Sequence, residues 1–346
     1  MVVVVVVEAA GEDLGAGASR AGRGWRDAAD PAGHRVLEVG AGTGYHAALL
    51  AELTGSAGSV HTIDLDEDIT LQARVALDRA GYGHVQVVTG DGVLGFADGA
   101  PYDRIVLTVG CYDIAPAWIE QLAPDGVLMV PLWLRGVEVL ATLRRQGDSL
   151  VSDALSPCMF QRLRGAHAGP EGPVALNGGT DLLISVDDRS AVDPATVVRQ
   201  LRDAHRDIAV PVALDDKTLP HIGFWLALRR PDLCLLSLQG ANDGGTAVPW
   251  GHRGSFRFAV GLLGRRGLAL LGLQAGDGHA VFVRAFGEAL DLGRALVHEL
   301  GVWDADGRPA TDAYRVRVYP PGAAKAPAAG QVRVAKPQSV IVVERA

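Results

Sequence analysis

Glu38, Gly40, Gly42 and Gly44 stand in the order Glu-x-Gly-x-Gly-x-Gly, the first glycine directly after the apolar run 36–39. Glycines at such a turn let backbone approach a ligand, because a Cβ would block contact or forbid the dihedrals. A dinucleotide site wants Gly-x-Gly-x-x-Gly beneath a pyrophosphate. Here the third glycine comes one place early, and Tyr45 takes its slot. Glu38 lies two positions before Gly40, which is expected to bring a carboxylate near the ligand. A negative charge suits a cation and opposes a pyrophosphate. About twenty positions past the turn, an acid can take both hydroxyls of a ribose, and Asp64 fits that place. Asp66 and Asp68 compete for the role, and a helix N-cap is the plain alternative for Asp64. Asp91, followed by Gly92, is placed to accept from an adenine amino group, although Asp-Gly is also a common turn. A nucleoside carrying a sulfonium and an ammonium meets these requirements. The expected cofactor is S-adenosyl-L-methionine, held by Glu38, Gly40, Gly42, Gly44, Asp64, Asp91 and Gly92. A glycine-rich turn without a ligand is the bland alternative.

The elements that must position these residues come in order. Strands are expected over 36–39, 59–65, 85–88, 103–109, 126–131 and 137–143. Helices are expected over 45–53, stopped by Gly55, over 69–80, with Ile69, Ala73, Ala76, Leu77 and Ala80 on one face, and over 118–122. Strands separated by helices and short loops give an α/β, doubly wound, Rossmann-like sheet of the class I methyltransferase kind.

Several stretches in this region carry a more specific likeness. They are Gly-Thr-Gly-Tyr-His-Ala-Ala-Leu-Leu-Ala at 42–51, Gly90-Asp91-Gly92 with Gly95, Pro101-Tyr102-Asp103, Gln121-Leu122, and Gly-Val-Leu-Met-Val-Pro at 126–131. Together they resemble the protein-L-isoaspartate O-methyltransferase family over roughly residues 34–145. The resemblance implies methyl transfer from S-adenosylmethionine to the free carboxylate of an isoaspartyl residue, followed by cyclisation to a succinimide that opens in part to aspartate. The attacking carboxylate is already ionised at pH 7, so no general base is required. Alignment of two reactants and a dry pocket in which opposite charges cancel are expected to supply the acceleration.

The likeness stops before residue 34. Family members carry, ahead of the first strand, a segment similar to Thr-Ile-Ser-Gln-Pro whose serine lies at the acceptor site. Ser19 is the only serine before Val36 and has no proline beside it, so no catalytic residue is assigned. Residues 2–7 are all valine, and residues 8–33 are rich in Ala, Gly, Arg and Asp. That composition resembles a shifted reading frame as much as a divergent start with an added strand.

Composition narrows the remaining classes. A chain of 346 residues suggests two domains. A net charge of −8, with no Lys/Arg stripe, argues against nucleic acid as partner. Residues 2–7 are too short to span a bilayer and lack a signal-peptide pattern, so no membrane role is expected. Cys111, Cys158 and Cys234 are isolated, which fits a reduced, cytoplasmic setting. No paired Cys/His spacing suggests a metal. His46 can reach ligand or be merely half-buried, and Cys111 is expected as a small residue at the rim of the acceptor entrance.

The chain changes character after about residue 150. The expected organisation is an irregular segment 1–33, a cofactor-binding domain 34–160, a linker 161–175 and a second mixed α/β domain 176–346. In that second part a helix is expected to begin at Asp193-Pro194 and another to run over 285–300, ended by Gly301. A hairpin is expected around Gly264-Arg265-Arg266-Gly267, and strands over 314–319 and 339–343. Arg308 can hold an acceptor carboxylate or an ion pair within its turn. This half weakly resembles the extension of long, actinobacterial-type family members found with clusters for ribosomally made peptides, on Phe-Trp-Leu-Ala-Leu at 224–228 and the turn 303–309. Three functions stay open: isoaspartyl repair, tailoring of one peptide precursor, or a cofactor-binding module without acceptor chemistry. The expected partner is a protein or peptide with an isoaspartyl or aspartyl carboxylate.

Overall fold

A computed structural model describes residues 32–165, 168–169, 173–176, 181–214, 218–238, 240, 243–253, 256–273, 281–323 and 327–346. Ser19 and the valine tract lie outside them. The described chain divides into two units.

The first unit is built on β1 (Arg35–Val39), α1 (Tyr45–Thr54), β2 (Ser59–Asp64), α2 (Glu67–Arg79), β3 (Gln86–Thr89), β4 (Tyr102–Leu107), α3 (Pro116–Gln121), β5 (Leu122–Leu134), β6 (Val137–Gln146) and β7 (Ser149–Pro157). Parallel strands covered on both faces read as continuous apolar runs. Accordingly Val36, Leu37 and Val39 of β1, and Ile105, Val106 and Leu107 of β4, are all buried. β1 pairs in parallel with β2 on one side and β4 on the other, and β2 continues to β3. The strand order therefore reverses between β1 and β4, which creates a crevice at their carboxyl ends. On one side of the sheet, Ala47, Leu50 and Ala51 of α1 and Ala73 and Leu77 of α2 form a core with Val36, Val60 and Val106.

The second unit consists of residues 134–137 and 170–311. Its strands are β8 (Val174–Ala175), β9 (Leu182–Val186), β10 (His205–Val210), β11 (Leu233–Leu238), β12 (Gly251–Arg253), β13 (Phe256–Gly264), β14 (Gly267–Leu273) and β15 (Val281–Gly287). They pair antiparallel in the order β10-β15-β14-β13-β11-β9-β8, with β12 beside β13. Helices α4 (Pro194–Arg202), α5 (Leu219–Arg229) and α6 (Leu290–Ala305) accompany them. The expected hairpin appears as β13–β14 with Gly264 opposite Gly267.

Three expectations are corrected. Residues 312–346 do not belong to the second sheet. Their strands β16 (Tyr314–Tyr319), β17 (Val332–Ala335) and β18 (Val340–Arg345) extend the first sheet beyond β7, in the order β17-β18-β16-β7. Residues 161–165 and 168–169 belong to the first unit rather than to a free linker. Finally, residues 285–287 end a strand, and α6 passes Gly301 to finish at Ala305. Gly301 faces open space without a positive φ, so nothing forces a stop there. Gly307, at φ 81°, supplies the left-handed residue, and Arg308 N–H then reaches the Trp303 carbonyl at 2.9 Å.

Candidate active site at the carboxyl ends of the parallel strands

The glycine turn is fixed from three directions. Gly40 N–H donates to the Ile63 carbonyl at 2.8 Å, and Gly44 N–H to that of Ala41 at 2.8 Å. The Thr108 hydroxyl, just past β4, donates to the Gly40 carbonyl at 2.8 Å. A Cβ on Gly40 would come within 2.5 Å of that hydroxyl oxygen, so the close approach requires glycine. Gly42 differs. Its φ is 50° and a Cβ there would meet nothing within 4 Å, so its bare face looks onto open space.

Asp64 closes the other side of that space. One carboxylate oxygen accepts from Gly42 N–H at 3.4 Å and the other from Asp66 N–H at 3.5 Å. Both are long, weak hydrogen bonds, so better donors can replace them. The Asp64 backbone carbonyl accepts from Gly90 N–H at 2.8 Å, which ties the loop carrying Asp91 to the same rim. Asp66 lies at the start of α2, and Asp68 is exposed in its first turn. Asp64 is thus the acid directly beside the glycine turn.

Asp91 and Gly92 have local duties as well. Asp91 accepts from Val93 N–H at 3.1 Å and so caps a short turn of 3₁₀ helix, Gly92–Leu94. Gly92 is buried, and a side chain there would strike Val39. Its carbonyl accepts from Trp118 Nε1 at 2.8 Å. Gln121 fixes the rest of the loop by accepting from Phe96 N–H at 2.8 Å and donating to the Leu94 carbonyl at 2.9 Å. These contacts explain the glycine at 92 by packing.

Glu38 is a correction. Its carboxylate is fully buried, and protein groups already hold both of its oxygens. One oxygen is 2.6 Å from His46 Nδ1, and the other accepts from the Thr62 hydroxyl at 2.6 Å. Carboxylates in this position can join helix to sheet, and Glu38 does so between α1, β1 and β2. The sequence shows the acid and the histidine eight positions apart but not that the helix folds His46 back over the strand. His46 itself is buried. Cys111 is likewise interior, and burial pushes its thiol well above the usual range, which leaves it no nucleophilic role. Arg308, in the second unit, pairs with Asp304 at 2.6 Å within its own turn.

The segment after β7 brings residues that the sequence pattern did not single out. Gly110 N–H donates to the Gln161 carbonyl at 2.7 Å, and Leu163 N–H to that of Gly110 at 2.8 Å. Phe160 N–H donates to Glu138 Oε2 at 2.7 Å. Glu138 is buried, and burial raises its carboxyl to about 8. Beyond this anchor, Arg164 Nη2 lies 2.7 Å from Asp66 and 3.9 Å from Asp64. A side chain on Gly165 would come within 2.6 Å of the Asp91 carboxylate. No periodicity marks 161–165, and their Gly and Arg content reads as a linker. Among the described residues, no cluster of three or more His, Cys, Asp or Glu could hold a metal ion, and no helix is long and apolar enough to cross a membrane.

Residues 30–167 match the family model described as protein-L-isoaspartate(D-aspartate) O-methyltransferase. A protein-L-isoaspartate O-methyltransferase of Hyperthermus butylicus is 38% identical over 148 residues, covering 40% of this chain and 61% of that protein. One from Methanococcus aeolicus is 39% identical over 135 residues, covering 39% and 62%. The chain therefore spans about three fifths of the length of these curated relatives. A solved protein-L-isoaspartate O-methyltransferase aligns over 86% of this chain and 76% of its own at 21% identity, with a TM-score of 0.42. Over residues 30–167 the chain is thus similar to the protein-L-isoaspartate O-methyltransferase family.

Proposed function

We propose that the protein is a carboxyl O-methyltransferase that takes S-adenosyl-L-methionine as donor and an isoaspartyl or aspartyl carboxylate of a protein or peptide as acceptor. The observation that carries this reading is the pairing of the family match over 30–167 with a rim in which Asp64 faces the bare backbone of Gly42. The residues fit the donor. Open space at Gly42 admits a ligand against backbone, and the loosely engaged Asp64 can exchange its long bonds for two ribose hydroxyls. When bound, the donor supplies an electrophilic methyl group to the acceptor oxygen. The chain's part is to hold both reactants in line and keep water out. The Gly40, Gly42 and Gly44 turn and Asp64 hold the nucleoside, Asp91 borders its base, and Thr108 keeps the turn in shape. Glu38 acts from behind by fixing α1. On an isoaspartyl acceptor the ester would close to a succinimide, which is the chemistry of repair.

A second reading, tailoring of one peptide precursor, is favoured by the separate α/β unit of residues 134–137 and 170–311. Such a unit offers a surface for a dedicated acceptor. Incubation of the full chain with methyl-labelled donor and three acceptors separates the readings: an isoaspartyl peptide, its aspartyl twin and a precursor peptide encoded nearby. Label on the isoaspartyl peptide alone supports repair, and label on the precursor supports tailoring. Donor binding with no label on any acceptor would reduce the protein to a cofactor-binding module.

A further inference from the structure

The acid expected to hold the ribose already has a cationic neighbour. Arg164 Nη2 is 3.9 Å from Asp64 and 2.7 Å from Asp66. Gly165 packs on Asp91, the acid at the other end of the nucleoside site. The segment that carries them is not adrift, because Gln161 and Leu163 bond to Gly110 and Phe160 to Glu138. Residues 161–165 thus run from the carboxyl end of β4 to the acids after β2 and β3, across the same crevice that the glycine turn lines. The Arg164 side chain is 55% exposed, so its attraction for the acids is modest and screened by salt.

We propose that Arg164 is a positioning residue of the cofactor site: in the free protein its guanidinium shares Asp64 and Asp66, and the ribose diol must displace it from Asp64 while Asp66 keeps it as an anchor. The inference rests on the reading that the crevice takes S-adenosylmethionine and its demethylated product. A ligand whose binding-competent form is only part of the population binds with correspondingly reduced apparent affinity. S-adenosylhomocysteine carries one ammonium and one carboxylate, so it has no net charge at pH 7. Its own binding should depend little on salt, whereas breaking an intrachain ion pair should become easier as salt rises.

The test is calorimetric titration of the full chain with S-adenosylhomocysteine at low and high sodium chloride, for the wild type, Arg164→Ala and Arg164→Lys. Arg164→Ala should bind up to about fivefold more tightly at low salt. Wild-type affinity should rise with salt towards that of the variant, which itself stays flat. Arg164→Lys, which keeps the charge, should stay near the wild type. An Arg164→Ala protein with unchanged or weaker affinity overturns the proposal, as does a wild type insensitive to salt, and in both cases binding as such leaves the donor assignment standing. Failure of all three proteins to bind removes the donor assignment and the proposal together. A thermal melt of each variant guards against misfolding, and substitution at a half-exposed position is not expected to disturb the fold.

Discussion

Asp64 and Glu138 are both acids near the crevice, and their surroundings give them opposite tasks. Asp64 is engaged by hydrogen bonds of 3.4 and 3.5 Å and by the Arg164 guanidinium at 3.9 Å, all long, so its oxygens are available to stronger donors. Replacing it with alanine should weaken S-adenosylhomocysteine binding by about 1–3 kcal/mol, the cost of removing the partner of a buried hydrogen-bonding group. Calorimetry reads this directly, and an unchanged affinity would take Asp64 out of the site. Glu138 instead keeps its proton. Its ordinary value is 4.5, and burial lifts it to about 8 in the folded protein. Between those values Glu138 holds its proton in the folded chain but not in the unfolded one, so its contribution to stability is full below pH 4.5 and is lost as pH rises to about 8. Glu138→Gln abolishes the titration while keeping an oxygen for Phe160 N–H. The variant should therefore gain on the wild type as pH rises from 5 to 8, by on the order of a few kcal/mol, and no further above pH 9. Unfolding by urea at four pH values measures it, and a difference independent of pH would show that Glu138 is ionised in the fold. The place of Asp64 beside the glycine turn was legible because its distance from that turn is set by one crossover. The burial of Glu38 was not legible, because sequence spacing alone does not show that His46 and Thr62 close over its carboxylate.

At the scale of elements, the strands and helices of 35–107 were legible because each is a short apolar run closed by glycine or a turn. Gly44 and Gly55 bound α1 at positive φ, and both stops appear where expected. The same rule failed at Gly301, since glycine ends a helix only where the chain must turn left-handed. There it is an interior residue of α6 facing open space, with φ outside the positive range. Glycine in such a place costs backbone entropy and returns no contact. Gly301→Ala should then stabilise the protein by about 0.5–1 kcal/mol. Comparison of denaturation midpoints checks it, with Gly307→Ala as the contrast. At φ 81° that second change should destabilise, and equal effects at the two glycines would show that α6 ends earlier.

For the whole molecule, order along the chain proved a poor guide to partnership. Residues 314–319 and 340–345 show the alternation or apolar runs of strands, and the sequence says no more than that. Which sheet they join depends on pairing with a strand more than 150 positions earlier. β16 lies against β7, with Val318 opposite Leu150, and Val316 N–H donates to the Ser152 hydroxyl at 2.8 Å. The buried carboxylate of Asp113, after β4, accepts from Gln338 N–H and the Ser339 hydroxyl, each at 2.6 Å. The first unit is therefore completed only by the end of the chain. Ending the protein at Thr311 would uncover the β7 edge, leave Asp113 with Ile114 N–H in place of its three donors, and remove Val316, Val318, Val340, Ile341, Val342 and Val343, all buried. At roughly 1.5–3 kcal/mol for each buried aliphatic side chain, the loss is on the order of 10 kcal/mol, comparable to the stability of a whole domain. The shortened chain should lose S-adenosylhomocysteine binding and the cooperative melt of its first unit. Had 312–346 belonged to the second unit, the same cut would leave cofactor binding intact, so one titration of the truncated protein decides which unit those strands complete.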